Sequence, residues 1–240
     1  MNQIPYELRA DDPAAPPIGL IVLQTDETIE PDFARSFAGH PSPIYAARIP
    51  CDEEVTPETL GRMGPRLTGT ARLLPDVRRY AAVGYGCTSA SALIGSDKVA
   101  DMVRQGCDTA AVTDPLHAAT ACARDLGVSR FALVSPYIES VNQPLRAAFA
   151  RNGISTDVFG SFNTPDEASV VRVSTASIVG AAVRMGSDSA VDAVFLSCTN
   201  LRTYDAIPQI RARLGKPVLS SNQALAWHLK QLVAAAIPAD

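Results

Sequence analysis

Two apolar runs in this chain end in the same way. Tyr80-Ala-Ala-Val-Gly-Tyr-Gly leads into Cys87-Thr88-Ser89, and Ala193-Val-Phe-Leu-Ser leads into Cys198-Thr199-Asn200. An uninterrupted apolar run suits a strand covered on both faces. A turn of small polar residues after it lies at the carboxyl edge of a parallel sheet, where ligands bind. The surroundings of the two turns repeat as well. From Ile18, which opens the first apolar run, to Cys87 is 69 positions; from Arg130 to Cys198 is 68. Each half alternates strands with helical stretches, which implies parallel sheets with helices on both faces. The fold class expected is α/β: two similar open parallel-sheet domains related by a pseudo-twofold duplication, with an active site in the cleft between them.

The first half reads as strands at Ile18–Leu23, Ile44–Ile49, Tyr80–Gly86 and Asp108–Thr113. One helix is expected from Thr56-Pro57 towards Leu74, with a kink near Gly64-Pro65. The second half reads as strands at Arg130–Ser135, Ser155–Ser161, Ala193–Ser197 and Pro217–Ser221, with helical spacing along Ser169–Met185 and a last helix over Asn222–Ala236. Residues 1–17, acidic and rich in Pro and Ala from position 7, read as a loose N-terminal arm. Residues 18–113 with about 220–240 are assigned to the first domain, and 114–219 to the second.

Composition narrows the partners. A net charge of −4 with no Lys/Arg cluster gives no footprint for nucleic acid. The apolar runs are strand-sized, short of the ~18 residues of a membrane span. The N-terminus has no apolar secretory core. Five cysteines without a C-x-x-C pair fit reduced thiols in a cytoplasm. Three well-separated histidines give no zinc-ligand spacing, so no metal is expected.

The candidate reacting groups are Cys87 and Cys198. A thiolate is the reactive form of cysteine, and a helix N-terminus favours it, so these turns suit a proton-abstracting or nucleophilic thiol. Backbone N–H groups of the turn after Cys87 would face an anion beside it. Cys51, Cys107 and Cys122 lack such a placement and read as structural. Tyr137 follows a strand end at the same sheet edge as Cys198 and is a candidate substrate contact. Asp26, in the first loop of the other half, has two readings: a cap for the helix that follows, or a buried carboxylate that takes a thiol proton or holds an ammonium group. His40, His117, His228, Tyr6 and Trp227 are assigned no chemistry.

The stretches Gly19-Leu-Ile-Val, Gly86-Cys87-Thr-Ser, Ser135-Pro-Tyr137-Ile-Glu-Ser-Val-Asn142, Leu196-Ser-Cys198-Thr-Asn and Tyr204-Asp-Ala-Ile-Pro together resemble the aspartate/glutamate racemase superfamily. The branch they resemble is that of maleate isomerases and arylmalonate decarboxylases. The resemblance implies a cofactor-free enzyme that holds a small carboxylate between two cysteines. It implies that Thr88, Ser89, Thr199 and Asn200 bind the carboxylate and that Tyr137 hydrogen-bonds to it. In the racemases one cysteine removes a proton and the other returns one; in maleate isomerases a cysteine adds to the double bond. Arylmalonate decarboxylases lack the first cysteine, which argues against that activity here. Where maleate isomerases carry an asparagine in the first loop, this chain aligns Asp26. The stretch Leu23-Gln24-Thr-Asp-Glu also resembles the ectoine-utilisation protein of the superfamily, which implies a substrate with a cationic group and places Gln24 with Asp26 at the site. The function expected is thus a racemase or isomerase of a small carboxylate. Maleate cis–trans isomerisation is the alternative within that class, and a ligand-binding protein without catalysis the alternative outside it. A small-molecule partner is expected, no nucleic acid or membrane, and a homo-oligomer is compatible with the reading.

Overall fold

A computed structural model describes residues 3–8, 10, 12–76 and 78–237. Residues 1, 2, 9 and 11 of the expected arm, and 238–240 of the last stretch, lie outside the described residues. The strands are β1 (Ile18–Leu23), β2 (Ile44–Ile49), β3 (Tyr80–Gly86), β4 (Thr109–Thr113), β5 (Phe131–Ser135), β6 (Phe159–Ser161), β7 (Ala193–Leu196) and β8 (Val218–Ser220). They form two four-stranded parallel sheets of matching order, β2-β1-β3-β4 and β6-β5-β7-β8. Each sheet therefore places its first strand between its second and third, and each cysteine follows the third. Every residue of β1, β3, β5 and β7 is buried, because helices cover both faces.

The helices are α1 (Ile29–Ser36), α2 (Pro57–Gly61), α3 (Gly64–Ala71), α4 (Thr88–Ile94), α5 (Ser96–Arg104), α6 (Pro115–Leu126), α7 (Glu139–Arg151), α8 (Glu167–Val170), α9 (Thr175–Gly186), α10 (Ala206–Leu214) and α11 (Ser221–Ala236). α11 leaves the second sheet at β8 and packs on α6, β3 and α1. The last helix thus ties the two halves together. No described helix is long and apolar enough to cross a membrane.

Local chemistry explains where the elements differ from the sequence reading. The expected helix from Thr56 is two helices, α2 and α3, because Pro65 sits in the first turn of α3 and has no N–H to carry an α-helical ladder across the junction. The helical run from Ser169 is also divided. Asp166 caps α8 by accepting from the Ser169 N–H, and Ser174 caps α9 by accepting from the Ser177 N–H. Of the strand expected over Ser155–Ser161, only β6 pairs continuously, and Ser155 makes an isolated bridge to Arg130.

Candidate active site

Both cysteines lie where their strands meet the junction of the two halves, and their local backbones differ. Cys87 is the N-cap of α4 in a relaxed extended conformation, φ −146°. Its carbonyl accepts from the Ser91 hydroxyl at 2.6 Å, which anchors the first turn. The preceding Gly86 lies close to its neighbours: a Cβ there would meet Ile29 Cδ1 at 2.6 Å and the Ile21 carbonyl oxygen at 3.3 Å. Cys198 has φ +107°, a left-handed value that a side chain disfavours. Its N–H donates to Ser221 Oγ at 3.0 Å. The same Ser221 hydroxyl bonds Thr88 Oγ1 at 2.7 Å, so one side chain at the start of α11 joins the two cysteine turns.

Both thiols are buried, Cys87 at 2% exposure and Cys198 at 4%. Burial pushes Cys87 up to about 12, while the Ala90 N–H and the Ser89 hydroxyl, 3.7 Å from the sulfur, favour its anion. Cys198 is also raised well above the usual thiol range, by burial first and by Glu167 next. The Tyr137 hydroxyl and the Asn200 N–H act in the opposite direction on Cys198. Tyr137, itself buried, interacts electrostatically with both sulfurs. It is positioned by Asn142, whose Nδ2 donates to the Tyr137 carbonyl at 2.7 Å and whose Oδ1 accepts from Ser135.

The structure thus gathers Cys87, Cys198, Tyr137, Ser89 and the turns after both cysteines. Several of the expected binding groups are engaged within the protein. Thr88 bonds Ser221, and Thr199 Oγ1 donates to the Gly86 carbonyl across the junction at 3.2 Å. Asn200 Oδ1 accepts from the Glu27 N–H at 2.9 Å, and its Nδ2 donates to Glu167 Oε2 at 2.8 Å. At the start of α4, the Ala90 N–H serves the Cys87 sulfur, and the N–H groups of Thr88 and Ser89 have no partner inside the helix.

Asp26 serves in part as the cap that one reading gave it: its Oδ1 accepts from the N–H groups of Thr28 and Ile29, each at 2.8 Å. Its Oδ2 is buried without a hydrogen-bond partner. Gln24 lies farther out, with Asp26, on the wall of a cavity of about 560 Å³. Two residues that act on the cysteine turns escaped the sequence reading. Glu167, the first residue of α8, is 7% exposed and acts electrostatically on both thiols and on Tyr137. Burial, with further push from Asp26, raises its carboxyl to about 7. Ser221 is the other. A helix-start acid and a serine after a strand are ordinary sequence features, so neither carried a local signal.

Known proteins share this arrangement of elements. A family model described as arylmalonate decarboxylase matches residues 18–239. The arylmalonate decarboxylase of Bordetella bronchiseptica is 39% identical over 112 residues, which cover 45% of this chain and 46% of that protein, so the matched part spans about half of that relative's length. The maleate isomerase of Geobacillus stearothermophilus is 23% identical over 218 residues, 85% of this chain and 86% of that protein. A Nocardia farcinica maleate cis–trans isomerase, a cysteine-to-serine mutant with a covalently bound succinylcysteine intermediate, matches with a TM-score of 0.79 at 22% identity, covering 92% of this chain and 93% of that one.

Proposed function

The chain belongs to the arylmalonate decarboxylase family, and on that premise we propose that it is a cofactor-independent isomerase of a small carboxylate. Cys87 and Cys198 are its reacting groups. The observation that carries this reading is the pair of buried thiols, one from each half, with Tyr137 interacting electrostatically with both. The reaction is proton transfer at the carbon beside the carboxylate. One cysteine, as thiolate, takes the proton; the electron pair left on carbon delocalises into the carboxylate. The thiol of the other cysteine then gives its proton to the opposite face. Thiol and thiolate have exchanged places, the carbon is inverted, and no electrons are gained or lost.

The electrostatics suit a strong base. A buried thiol holds its proton tightly, so the thiolate, once formed, is more basic than a solvated one. Carbon acids need such a base. The N–H groups of Thr88 and Ser89 stabilise negative charge on the substrate, while the Tyr137 hydroxyl favours the Cys198 anion and the Ala90 N–H that of Cys87. A decarboxylase reading is less well supported, because the resemblance to arylmalonate decarboxylases implies no cysteine at the first turn, and here Cys87 stands there as well as Cys198 at the second. Thiols that react as such need a reducing compartment, so cytoplasmic residence belongs to the reading. The resemblance to an ectoine-utilisation protein would set the reaction in osmolyte or amino-acid catabolism.

The match to a maleate isomerase over 85% of the chain favours a second reading. There one thiolate adds to the double bond of maleate, the new single bond rotates, and elimination releases fumarate. Deuterated water separates the two. Two-thiol proton transfer puts deuterium beside the carboxylate as optical activity is lost. Rapid formation of fumarate from maleate would establish the second reading instead. A protein that binds carboxylates and catalyses neither exchange nor isomerisation would refute both.

A further inference from the structure

The turn that carries Cys198 is fixed by more than its strand. Three successive residues have backbone groups held from outside it. The Cys198 N–H donates to Ser221 Oγ at 3.0 Å, and the Thr199 carbonyl accepts from Asn222 Nδ2 at 2.8 Å. The Asn200 carbonyl accepts from the Thr28 hydroxyl at 2.8 Å. Such a set of anchors suits a residue kept at φ +107°. Of the three partners, Asn222 bears on the sulfur itself.

The Thr199 carbonyl and the Asn200 N–H belong to one planar trans peptide, so they point in opposite directions. Asn222 holds one end of that unit, and the other end is the N–H that favours the Cys198 thiolate. Pinning the carbonyl therefore aims the N–H at sulfur, and an accepted bond at the carbonyl strengthens the N–H as a donor. The amide of Asn222 is itself set from behind. Its Nδ2 also donates to Asp32 Oδ2, 2.8 Å away on α1, while its Oδ1 is buried without a partner. Turning the amide over would set Oδ1 against two acceptor oxygens, so Oδ1 is the atom left unsatisfied. Asp32 is also buried. Burial raises it to about 6; Asn222 and Arg35 oppose that shift, and Asp26 and Asp205 add to it. Above that pH Asp32 is a carboxylate, which can only accept.

We propose that Asn222, oriented by Asp32, is a positioning residue that keeps the Asn200 N–H on the Cys198 sulfur and so sets how readily that thiol ionises. This rests on the reading above, in that Cys198 is one of the two reacting groups. Asp32 and Asn222 act through the turn rather than on the substrate. Cys87 does not depend on them, because the Ala90 N–H that favours its anion comes from its own helix, α4.

The test is the rate at which iodoacetamide modifies each cysteine in mild alkali, read by mass spectrometry. It compares wild type, Asn222→Leu, Asp32→Asn and the double variant. Leucine keeps the volume and removes the donor; asparagine at position 32 keeps the shape and removes the charge. Asn222→Leu should slow Cys198 by about five-fold and leave Cys87 within about 1.5-fold. Asp32→Asn should slow Cys198 by about three-fold, and it carries the test should Asn222→Leu fail to fold. The sign is diagnostic, since removing a negative charge that acted on sulfur through space would speed Cys198 instead. The double variant should match Asn222→Leu alone, whereas independent packing losses would add. An unchanged or faster Cys198 in Asp32→Asn, or equal slowing of both thiols, would overturn the proposal. Deuterium exchange into L-aspartate and isomerisation of maleate test the reaction separately. A wild type that performs neither, with Cys198 slowed as stated in the variants, refutes the isomerase and keeps the positioning role. Turnover by wild type, with Cys198 unmoved in Asp32→Asn, does the reverse.

Discussion

Cys87 and Cys198 occupy matching places after the third strand of each sheet, yet the chain holds them by different means. Cys87 is a relaxed N-cap, with a helix start behind it and the Ala90 N–H at its sulfur. Cys198 has no helix directly behind it. It sits in a left-handed conformation, with its N–H on Ser221 and its sulfur beside Tyr137. The matching sheet orders repeat the position, and each half surrounds its sulfur with different groups. The difference teaches that the two thiols are inequivalent in the resting protein, so an enzyme working in both directions must reset between two distinct states.

The largest effect should come from removing either sulfur. Cys87→Ala and Cys198→Ala are each expected to lose ~10²-fold to 10⁴-fold in kcat while melting as cooperatively as wild type. Cys51, Cys107 and Cys122 to Ala should stay close to wild type. A variant lacking either cleft sulfur that kept near-wild-type turnover would break the pairing of the two turns.

Glu167 sharpens the comparison, since after burial it is the largest influence on Cys198, whereas at Cys87 the Ala90 N–H and the Ser89 hydroxyl, which favour the anion, both come ahead of it. Glu167→Gln should therefore shift the pH at which a small thiol reagent modifies Cys198 more than that for Cys87, read by mass spectrometry. The same residue governs stability. The folded protein keeps the Glu167 proton up to about pH 7, whereas the unfolded chain releases it near 4.5. Raising the pH through that window favours unfolding, by on the order of 3 kcal/mol if this group acted alone. Asp26 and Asp166 add to the repulsion, and the Asn200 amide opposes it. Denaturant midpoints of Glu167→Gln should fall less across this window than those of wild type; parallel curves would remove Glu167 from the account.

Ser221→Ala cuts the hydroxyl shared by the two turns. It strands the Cys198 N–H and leaves Thr88 without its partner, at an expected cost of about 1–2 kcal/mol by urea unfolding. The smallest effect is a difference in size between the two halves. Cys198→Gly relieves a left-handed side-chain residue and should offset part of the lost packing, whereas Cys87→Gly relieves nothing. The two glycine variants should then differ by about 1 kcal/mol in favour of position 198. Equal losses would mean that the strain at Cys198 carries no weight.

Much of this was legible in the residues themselves. Ile18–Leu23 and Tyr80–Gly86 read as buried strands because a run covered on both faces needs no polar alternation, and that pattern is local. The matched spacing to Cys87 and Cys198 followed from counting, and it implied two like sheets whose order the structure shows to be the same. Asp26 could be singled out, and both of its readings named, from its place before a helix. What no local pattern carried was the set of contacts between residues far apart in the chain. Ser221 meets Thr88 across 133 positions, and Asn200 reaches Glu27 across 173. Whether Asn200 faces a substrate or bridges the halves, and whether Glu167 is a solvated helix-start acid or a buried neighbour of two thiols, depends on how the two sheets dock. A sequence fixes which residues end a strand through short-range sterics and hydrophobic periodicity. The partners and protonation of those residues are set by burial and charge arriving from the other half, and only the tertiary structure decides them.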